Sequence, residues 1–213
     1  MMRLIKGAEL YAPQPSGRVD VLVGGGRILA AGAGLQPPAG VECEVLDAAG
    51  LTLIPGLIDL HAHIAGAGGE GGPATRTPEM GLSRFVSAGI TSVVGSLGTD
   101  GMTRSVEAVL MKAKGLRAEG ISAWILTGAY QVPTPTLLGD VGKDVACIEE
   151  VIGAGEIAVS DHRSSCPSVG ELVRIAEHAR VGGMLGGKAG LTLLHMGAAD
   201  DPFGILREAV AAS

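Results

Sequence analysis

From residue 54 onward, apolar runs with the length of β-strands alternate with segments whose apolar residues recur at helical spacing. Strands that alternate with helical segments form βαβ units, in which the strands are parallel. The pattern therefore predicts an α/β fold with about five βα units and a parallel sheet covered by helices. The strand-like runs lie at Leu57–His63, Ile90–Leu97, Ile121–Thr127, within Glu150–Ser160, and at Leu191–Met196.

The helical segments carry start and stop signals. Ser168 and Glu171 have the spacing of a capping box, in which each residue satisfies a free backbone N–H of the other. Thr77, which is followed by a proline, predicts a second helix start, with Gly89 just past the helix end. Two further helices are predicted around Thr103–Glu119 and Phe203–Ala212.

Residues 1–53 have a different pattern, since short β-rich pieces are separated there by turns of Pro and Gly. The stretch VLVGGGRILAAG, from Val21 to Gly32, predicts a hairpin with a glycine turn. Little polar chemistry lies in this part of the chain. We predict that residues 1–53 form a small all-β portion without a catalytic role, and that residues 54–213 form the α/β portion.

Polar residues collect where the predicted strands end. They are His61, His63, Thr99, Tyr130, the Asp161–Arg163 stretch and His195. Chemistry at the carboxyl ends of successive strands is typical of the (β/α)₈ barrel, whereas a doubly wound sheet places it at one switch point. No glycine-rich phosphate-binding motif follows a strand, so the sequence does not indicate a nucleotide site.

Composition narrows the function classes. Glycine accounts for 35 of 213 residues and aromatics for only 2%, which suits a tightly wound α/β protein. A net charge of −6 argues against nucleic acid, because no basic surface is available for phosphates. The longest uncharged stretch, Ile121–Gly139, contains prolines and threonines and is a poor membrane span. The three cysteines are widely spaced and predict reduced thiols, so we expect a soluble, cytoplasmic protein.

His61 and His63 are the strongest candidates for metal ligands. In a strand, residues i and i+2 point to the same side, so both imidazoles face one ion while the intervening residue faces away. The alternative is a solvent-facing pair on an edge strand. His195 ends a later apolar run in the same manner and is a further candidate, although a buried histidine can also be satisfied by a hydrogen bond in the core. Glu156 has only apolar or glycine neighbours, so its carboxylate must be paired, bound to metal or at an edge facing water.

Other polar residues suit the capture of a charged ligand. Arg163 could hold a carboxylate through two hydrogen bonds, or form a surface salt bridge. Tyr130 could donate to an oxygen that gains charge in a transition state, or serve only in packing. Glu70 lies in a loop of glycines and suits an ammonium group. His162, His178 and Lys188 are expected to be structural.

The stretch Pro55-Gly-Leu-Ile-Asp-x-His-x-His63 resembles the opening of the amidohydrolase superfamily. Longer motifs resemble the isoaspartyl dipeptidases, or β-aspartyl peptidases, within it. These motifs include Gly68-Gly-Glu-x-Gly-Pro73, Leu97-Gly-Thr-Asp100, Leu126-Thr-Gly-Ala-Tyr130, Ser160-Asp-His-Arg-Ser164 and His195-Met-Gly197. The resemblance implies a (β/α)₈ TIM-type barrel with a β-sandwich portion at residues 1–53, and hydrolysis of β-aspartyl dipeptides by a metal-activated water. It also implies two zinc ions and a homo-oligomer in full-length members.

Carried over by position, the resemblance implies that His61 and His63 bind one zinc and that His195 binds the other. The predicted substrate contacts are Gly68, Gly69, Glu70, Thr99, Tyr130 and Arg163, with Glu70 on the free amine and Tyr130 polarising the scissile carbonyl. Well-known members bridge the two metals with a carboxylated lysine, whereas the matching stretch here offers Glu156. A glutamate supplies the same two oxygens on a shorter arm, so we expect it to bridge the metals.

The family's remaining zinc histidine and its aspartate general base lie on later strands, beyond Ser213. The 160 residues that follow Leu53 are fewer than the roughly 250 of a complete barrel. We therefore expect the N-terminal half of such an enzyme. The alternatives are an inactive truncated fragment that needs a partner chain, or an amidohydrolase acting on another amide, such as a deacetylase or a cyclic amidase.

Overall fold

A computed structural model describes all residues from Met1 to Ser213. The chain divides into two units, Met1–Gly56 and Leu57–Ser213. The strands are β1 (Met2–Tyr11), β2 (Pro15–Gly24), β3 (Arg27–Gly32), β4 (Cys43–Asp47), β5 (Thr52–Leu53), β6 (Leu57–Ala62), β7 (Ile90–Gly95), β8 (Ser122–Thr127), β9 (Val151–Val159) and β10 (Leu191–Met196). The α-helices are α1 (Leu82–Ser87), α2 (Val106–Ala118), α3 (Val141–Cys147), α4 (Val169–Gly186) and α5 (Gly204–Ala212), and a 3₁₀ turn covers Pro73–Thr75.

The N-terminal unit is a single mixed sheet in the order β3-β2-β1-β4, with β5 also paired to β1. Strands β2 and β3 form the expected hairpin through Gly25 and Gly26. Strand β1 is continuous where the sequence predicted short pieces, because a bulge at Gly7 (φ 74°) lets the strand bend without ending. The N-terminal unit is therefore all-β, and the assignment of residues 1–53 to a β-sandwich portion stays a prediction.

The second unit contains a five-stranded parallel sheet in the order β10-β9-β8-β7-β6. Its strands follow one another in space as they do in sequence, which is the arrangement of a barrel and not of a doubly wound sheet. Side chains from the strands and helices pack into one buried core, which includes Phe85, Val93, Leu116, Ile125 and Ile157. The predicted barrel-type α/β class with five βα units is confirmed. None of the helices combines the length and hydropathy needed to cross a bilayer.

Most helix ends follow their local sequence signals. The capping box of Ser168 and Glu171 is formed at the start of α4, and Gly187 ends that helix in the left-handed conformation (φ 65°). The predicted start at Thr77 is wrong, since α1 begins only after Gly81. The Thr77 hydroxyl instead accepts a hydrogen bond from the backbone N–H of Ala67, at 2.8 Å. This contact spans ten residues, and local capping rules do not foresee it.

Candidate active site

The carboxyl ends of three strands bring the predicted metal ligands together. His61 lies near the end of β6, His63 directly after it, Glu156 in β9 and His195 in β10. Because all strands of the sheet are parallel, these ends share one edge. The His61 and His63 ring centroids lie 5.2 Å apart. The two imidazoles therefore share one site, as their i and i+2 spacing predicted.

Glu156 lies at the centre of this group. Its side chain is almost fully buried, and its Oε2 lies 2.8 Å from His61 Nε2 and 3.9 Å from His63 Nε2. The candidate ligand atoms of these three residues all lie within 4.8 Å of one another. Two imidazole nitrogens and one carboxylate oxygen are donors that zinc accepts. The residues present therefore fit a metal ion.

The second carboxylate oxygen of Glu156 faces a different histidine. Glu156 Oε1 lies 2.8 Å from His195 Nδ1. The two oxygens of one buried carboxylate thus face imidazoles from the two outermost strands of the sheet, β6 and β10. Glu156 therefore contacts histidines from both edge strands of the sheet.

Backbone groups around His63 fix the orientation of its ring. His63 Nδ1 lies 3.3 Å from the carbonyl oxygen of Ser96, so the Nδ1–H can donate there and leave Nε2 facing Glu156. Gly98 (φ 79°) lies against the same ring, and a Cβ at this position would be 2.5 Å from His63 Cε1. Only glycine combines this backbone conformation with such a close approach.

Tyr130 reaches the same edge from the loop after β8. Its side chain is buried, and its hydroxyl lies 2.8 Å from His195 Nδ1. Burial, followed by the negative charge of Glu156, raises the pKa of Tyr130 to about 12. The phenol therefore keeps its proton at neutral pH and remains a hydrogen-bond donor.

Arg163 is held by two carboxylates. Its Nε donates to Asp161 Oδ1 and its Nη2 to Asp161 Oδ2, both at 2.9 Å. Its Nη1 donates to Glu70 Oε1, also at 2.9 Å. Glu70 and Arg163, which the sequence predicted for opposite ends of a charged ligand, are thus paired with each other.

The charges of this cluster follow from its hydrogen bonds. Hydrogen bonding to Thr99 and Arg163 lowers the pKa of Glu70. The side-chain and backbone donors of Arg163 hold the pKa of Asp161 well below its usual range. Hydrogen bonding to Asp161 in turn raises the pKa of Arg163. At neutral pH the two carboxylates and one guanidinium carry a net charge of −1.

The remaining predicted contacts line two neighbouring cavities. A cavity of about 260 Å³ is bordered by His63, Gly68, Glu70, Thr99, Tyr130 and Arg163. A second cavity of about 400 Å³ shares Gly68, Glu70 and Thr99 with the first and adds Gly69, Arg76 and Met102. Each predicted substrate contact therefore borders at least one of the two cavities.

The residues expected to be structural lie elsewhere or point away. His178 Nδ1 pairs with Asp140 Oδ2 at 2.8 Å on α4, and the His162 side chain is 86% exposed. Lys188 donates to the carbonyl oxygens of Ile148 and Val151 near the amino end of β9. None of the three lines the two cavities.

Sequence reasoning missed two residues that shape the site. Asp161 was noted only as part of a strand-end motif, yet it contacts both Arg163 and His195. The Arg104 guanidinium donates to the carbonyl oxygens of Ala65 and Ala67, both at 2.9 Å, and so holds the start of the glycine loop. The only sequence signal for Asp161 was its spacing of two from Arg163, and Arg104 had none.

In fold and in sequence the chain is similar to several known hydrolases. The crystal structures of dihydropyrimidinase from Brevibacillus agri and of a D-hydantoinase, both 20% identical, superpose with a TM-score of 0.62 and cover the whole chain, which shows the shared fold. Dihydroorotases from Geotalea daltonii and Pelotomaculum thermopropionicum are 31% and 32% identical over 85% and 87% of the chain. No protein-family model matches the chain.

Among these hydrolases, the chain is also similar to β-aspartyl dipeptidase. The enzyme from Fervidobacterium islandicum AW-1 is 45% identical over the entire chain, with a TM-score of 0.96 and, in its complex with β-Asp-Leu, 0.94. The resemblance to the isoaspartyl dipeptidases is therefore confirmed. The chain spans 58% and 56% of these two structures and about 40% of the two dihydroorotases.

Proposed function

We propose that the chain provides the metal site and part of the substrate site for metal-dependent hydrolysis of β-aspartyl dipeptides. The observation that carries this proposal is Glu156, a buried carboxylate placed between His61 and His63 on one side and His195 on the other. The 45% identity with a β-aspartyl dipeptidase, one structure of which contains β-Asp-Leu, supports the choice of substrate.

In this proposal two zinc ions are held by the residues at the carboxyl edge of the sheet. His61 and His63 would hold one ion and His195 the other, with Glu156 as a ligand that both ions would share. Imidazole and carboxylate ligands suit zinc, and Glu156 needs no covalent modification to act as a bridge. When bound, the ions lower the pKa of water and so provide a nucleophile at neutral pH.

The Glu70–Arg163 ion pair provides a means of recognising a zwitterion. A dipeptide that offers an ammonium group to Glu70 and a carboxylate to Arg163 replaces the 2.9 Å internal pair with two new ion pairs. Asp161 keeps its hydrogen bonds to Arg163 and holds the guanidinium in place. The net charge of −1 on the cluster favours the ammonium end.

Tyr130 donates a hydrogen bond to the carbonyl oxygen of the scissile amide. Its pKa of about 12 keeps the phenol protonated, and its hydroxyl lies beside His195, one of the proposed metal ligands. A donor aimed at an oxygen that gains negative charge stabilises the transition state. Gly68, Gly69 and Thr99 border the substrate cavities beside it.

The test is hydrolysis of β-Asp-Leu by the zinc-loaded chain, with α-Asp-Leu as the control substrate. A second arm adds the part of the F. islandicum enzyme that this chain does not cover, because later strands are expected to supply the general base. Selective cleavage of β-Asp-Leu in either arm supports the proposal. Zinc binding without cleavage in both arms contradicts it and favours the inactive-fragment alternative.

A second candidate function is hydrolysis of a cyclic amide, which the 31–32% identical dihydroorotases favour. A cyclic substrate has no free ammonium group for Glu70, so the Glu70–Arg163 arrangement argues for the dipeptide. Dihydroorotate in the same two-arm assay separates the candidates. Turnover of dihydroorotate without turnover of β-Asp-Leu would favour this second function.

A further inference from the structure

Both ring nitrogens of His195 face carboxylates. Nδ1 lies 2.8 Å from Glu156 Oε1 and 2.8 Å from the Tyr130 hydroxyl. Nε2 lies 3.1 Å from Asp161 Oδ2 and 3.1 Å from Arg163 Nη2. The protonation pattern of the ring therefore decides which of its two sides can bind a cation.

A neutral imidazole has one N–H donor and one lone pair. A carboxylate oxygen only accepts, so a lone pair directed at it is repelled unless a cation lies between the two. If Nε2 carries the hydrogen, it donates to Asp161, and the Nδ1 lone pair faces Glu156 and Tyr130. A cation bound by both Nδ1 and Glu156 Oε1 would satisfy both acceptors.

Hydrogen bonds from Arg163 hold the Asp161 carboxylate in place as an acceptor. Its Oδ1 receives hydrogen bonds from the backbone N–H of Arg163 at 2.8 Å and from Arg163 Nε at 2.9 Å. Its side chain is 7% exposed, and Oδ2 is left to face both Arg163 Nη2 and His195 Nε2. Four contacts thus hold this carboxylate against the far side of the His195 ring.

We propose that Asp161 is a positioning residue that holds His195 in the Nε2–H tautomer, so that Nδ1 is presented to the metal beside Glu156. This inference rests on the metal site of the proposed function and adds a residue to it. Carboxylates that orient a metal-bound histidine typically change metal affinity by about 10- to 100-fold when altered. The same carboxylate holds Arg163, so one side chain supports both the metal ligand and the substrate-binding guanidinium.

The rival arrangement has Nδ1–H donating to Glu156 and Nε2 accepting from Arg163. Long-range ¹H–¹⁵N correlation spectra of the zinc-loaded chain, labelled with ¹⁵N-histidine, separate the two tautomers. His195→Gln assigns the ring signals. The Nε2–H form at neutral pH supports the proposal, and the Nδ1–H form overturns it. This measurement needs bound zinc but no dipeptide hydrolysis, so it stands apart from a failure of the chain to cleave β-Asp-Leu.

A second experiment titrates zinc into the wild type and Asp161→Asn. The amide can donate through its NH₂ group, so it no longer enforces an N–H on Nε2. We expect one of two zinc equivalents to bind about 10- to 100-fold more weakly, while the site of His61 and His63 keeps its affinity. The matched control is Asp140→Asn, which alters the 2.8 Å His178–Asp140 pair. Unchanged zinc affinity in Asp161→Asn, or an equal loss in Asp140→Asn, would overturn the proposal.

Discussion

Two buried carboxylates of the same unit, Asp144 and Glu156, have opposite kinds of surroundings. Asp144 is fully buried and accepts hydrogen bonds from the Thr127 hydroxyl and from the backbone N–H groups of Leu137 and Leu138. Glu156 is 2% exposed, and its hydrogen-bond partners are the imidazoles of His61 and His195.

The difference separates a structural carboxylate from one that can serve in chemistry. Fixed donors satisfy Asp144 completely, so it ties the 137–138 segment to the end of β8 and needs nothing more. Imidazoles can present lone pairs in place of hydrogens, so Glu156 and its neighbours form a set of ligands for a cation. Burial alone does not distinguish the two sites, whereas the identity of the partners does.

The largest effect is expected for Glu156→Ala, which removes the oxygens that join the two halves of the metal site. Zinc bound per chain should fall from two equivalents to one or none, and hydrolysis of β-Asp-Leu should be lost. Elemental analysis of zinc after gel filtration measures the first effect. Zinc content equal to that of the wild type would show that Glu156 does not bridge metals.

Asp144→Asn tests the other side of the comparison. The amide places an NH₂ group against a backbone N–H or the Thr127 hydroxyl, so we expect a loss of about 2–4 kcal/mol in the free energy of unfolding. Urea denaturation measures this loss. Zinc affinity should stay at the wild-type value, and a selective loss of zinc without destabilisation would contradict the structural role of Asp144.

Arg104→Met extends the comparison to the glycine loop. The guanidinium donates to the carbonyl oxygens of Ala65, Ala67 and Thr77, and its removal should destabilise the fold by about 2 kcal/mol. Limited proteolysis should show faster cleavage within residues 64–77. Arg174→Met, which removes an exposed arginine on α4, is the control and should cleave at the wild-type rate.

The smallest effect concerns the pH dependence of stability through Asp100. Burial raises the pKa of Asp100, but hydrogen bonds from the side chain and backbone of Thr103 and from Arg76 outweigh it and lower the pKa to about 2. Because the folded-state pKa lies below the unfolded value, the stabilisation is full at pH 5 and is lost as the pH falls towards 2. We expect about 1 kcal/mol from this residue.

Urea denaturation of the wild type and Asp100→Asn between pH 6 and 3 measures that contribution. The difference between the two chains should shrink as the pH falls. A difference that stays constant over this range would show that the Asp100 carboxylate does not contribute through its ionisation.

Elements with local signals could be predicted from the sequence. The capping box of Ser168 and Glu171, the glycine hairpin of β2 and β3 and the five parallel strands all depend on residues that are close in the chain. Helix α3 was not predicted, because it has only seven residues and its apolar pattern is too short to show periodicity. Thr77 was misassigned because its hydroxyl binds a loop ten residues away.

The residues of the site also divide into those with a local sequence signal and those without one. The ligands His61, His63, Glu156 and His195 could be proposed because each lies in or next to an apolar strand, and parallel strands end at one edge. The Glu70–Arg163 pair joins residues 93 positions apart, and no sequence pattern states that two charges will meet. Asp161 was overlooked for the same reason, since its partner His195 lies on the next strand.

Gly98 has a consequence for protein engineering. The space that a side chain would take there is filled by the His63 ring, at 2.5 Å from the position of a Cβ, and the backbone has φ 79°. A randomised codon library across Leu97, Gly98 and Thr99, selected for zinc retention, should therefore return glycine at its middle codon. Thr99 is therefore the position in this loop at which substrate specificity can be varied, because Leu97 is buried in the core.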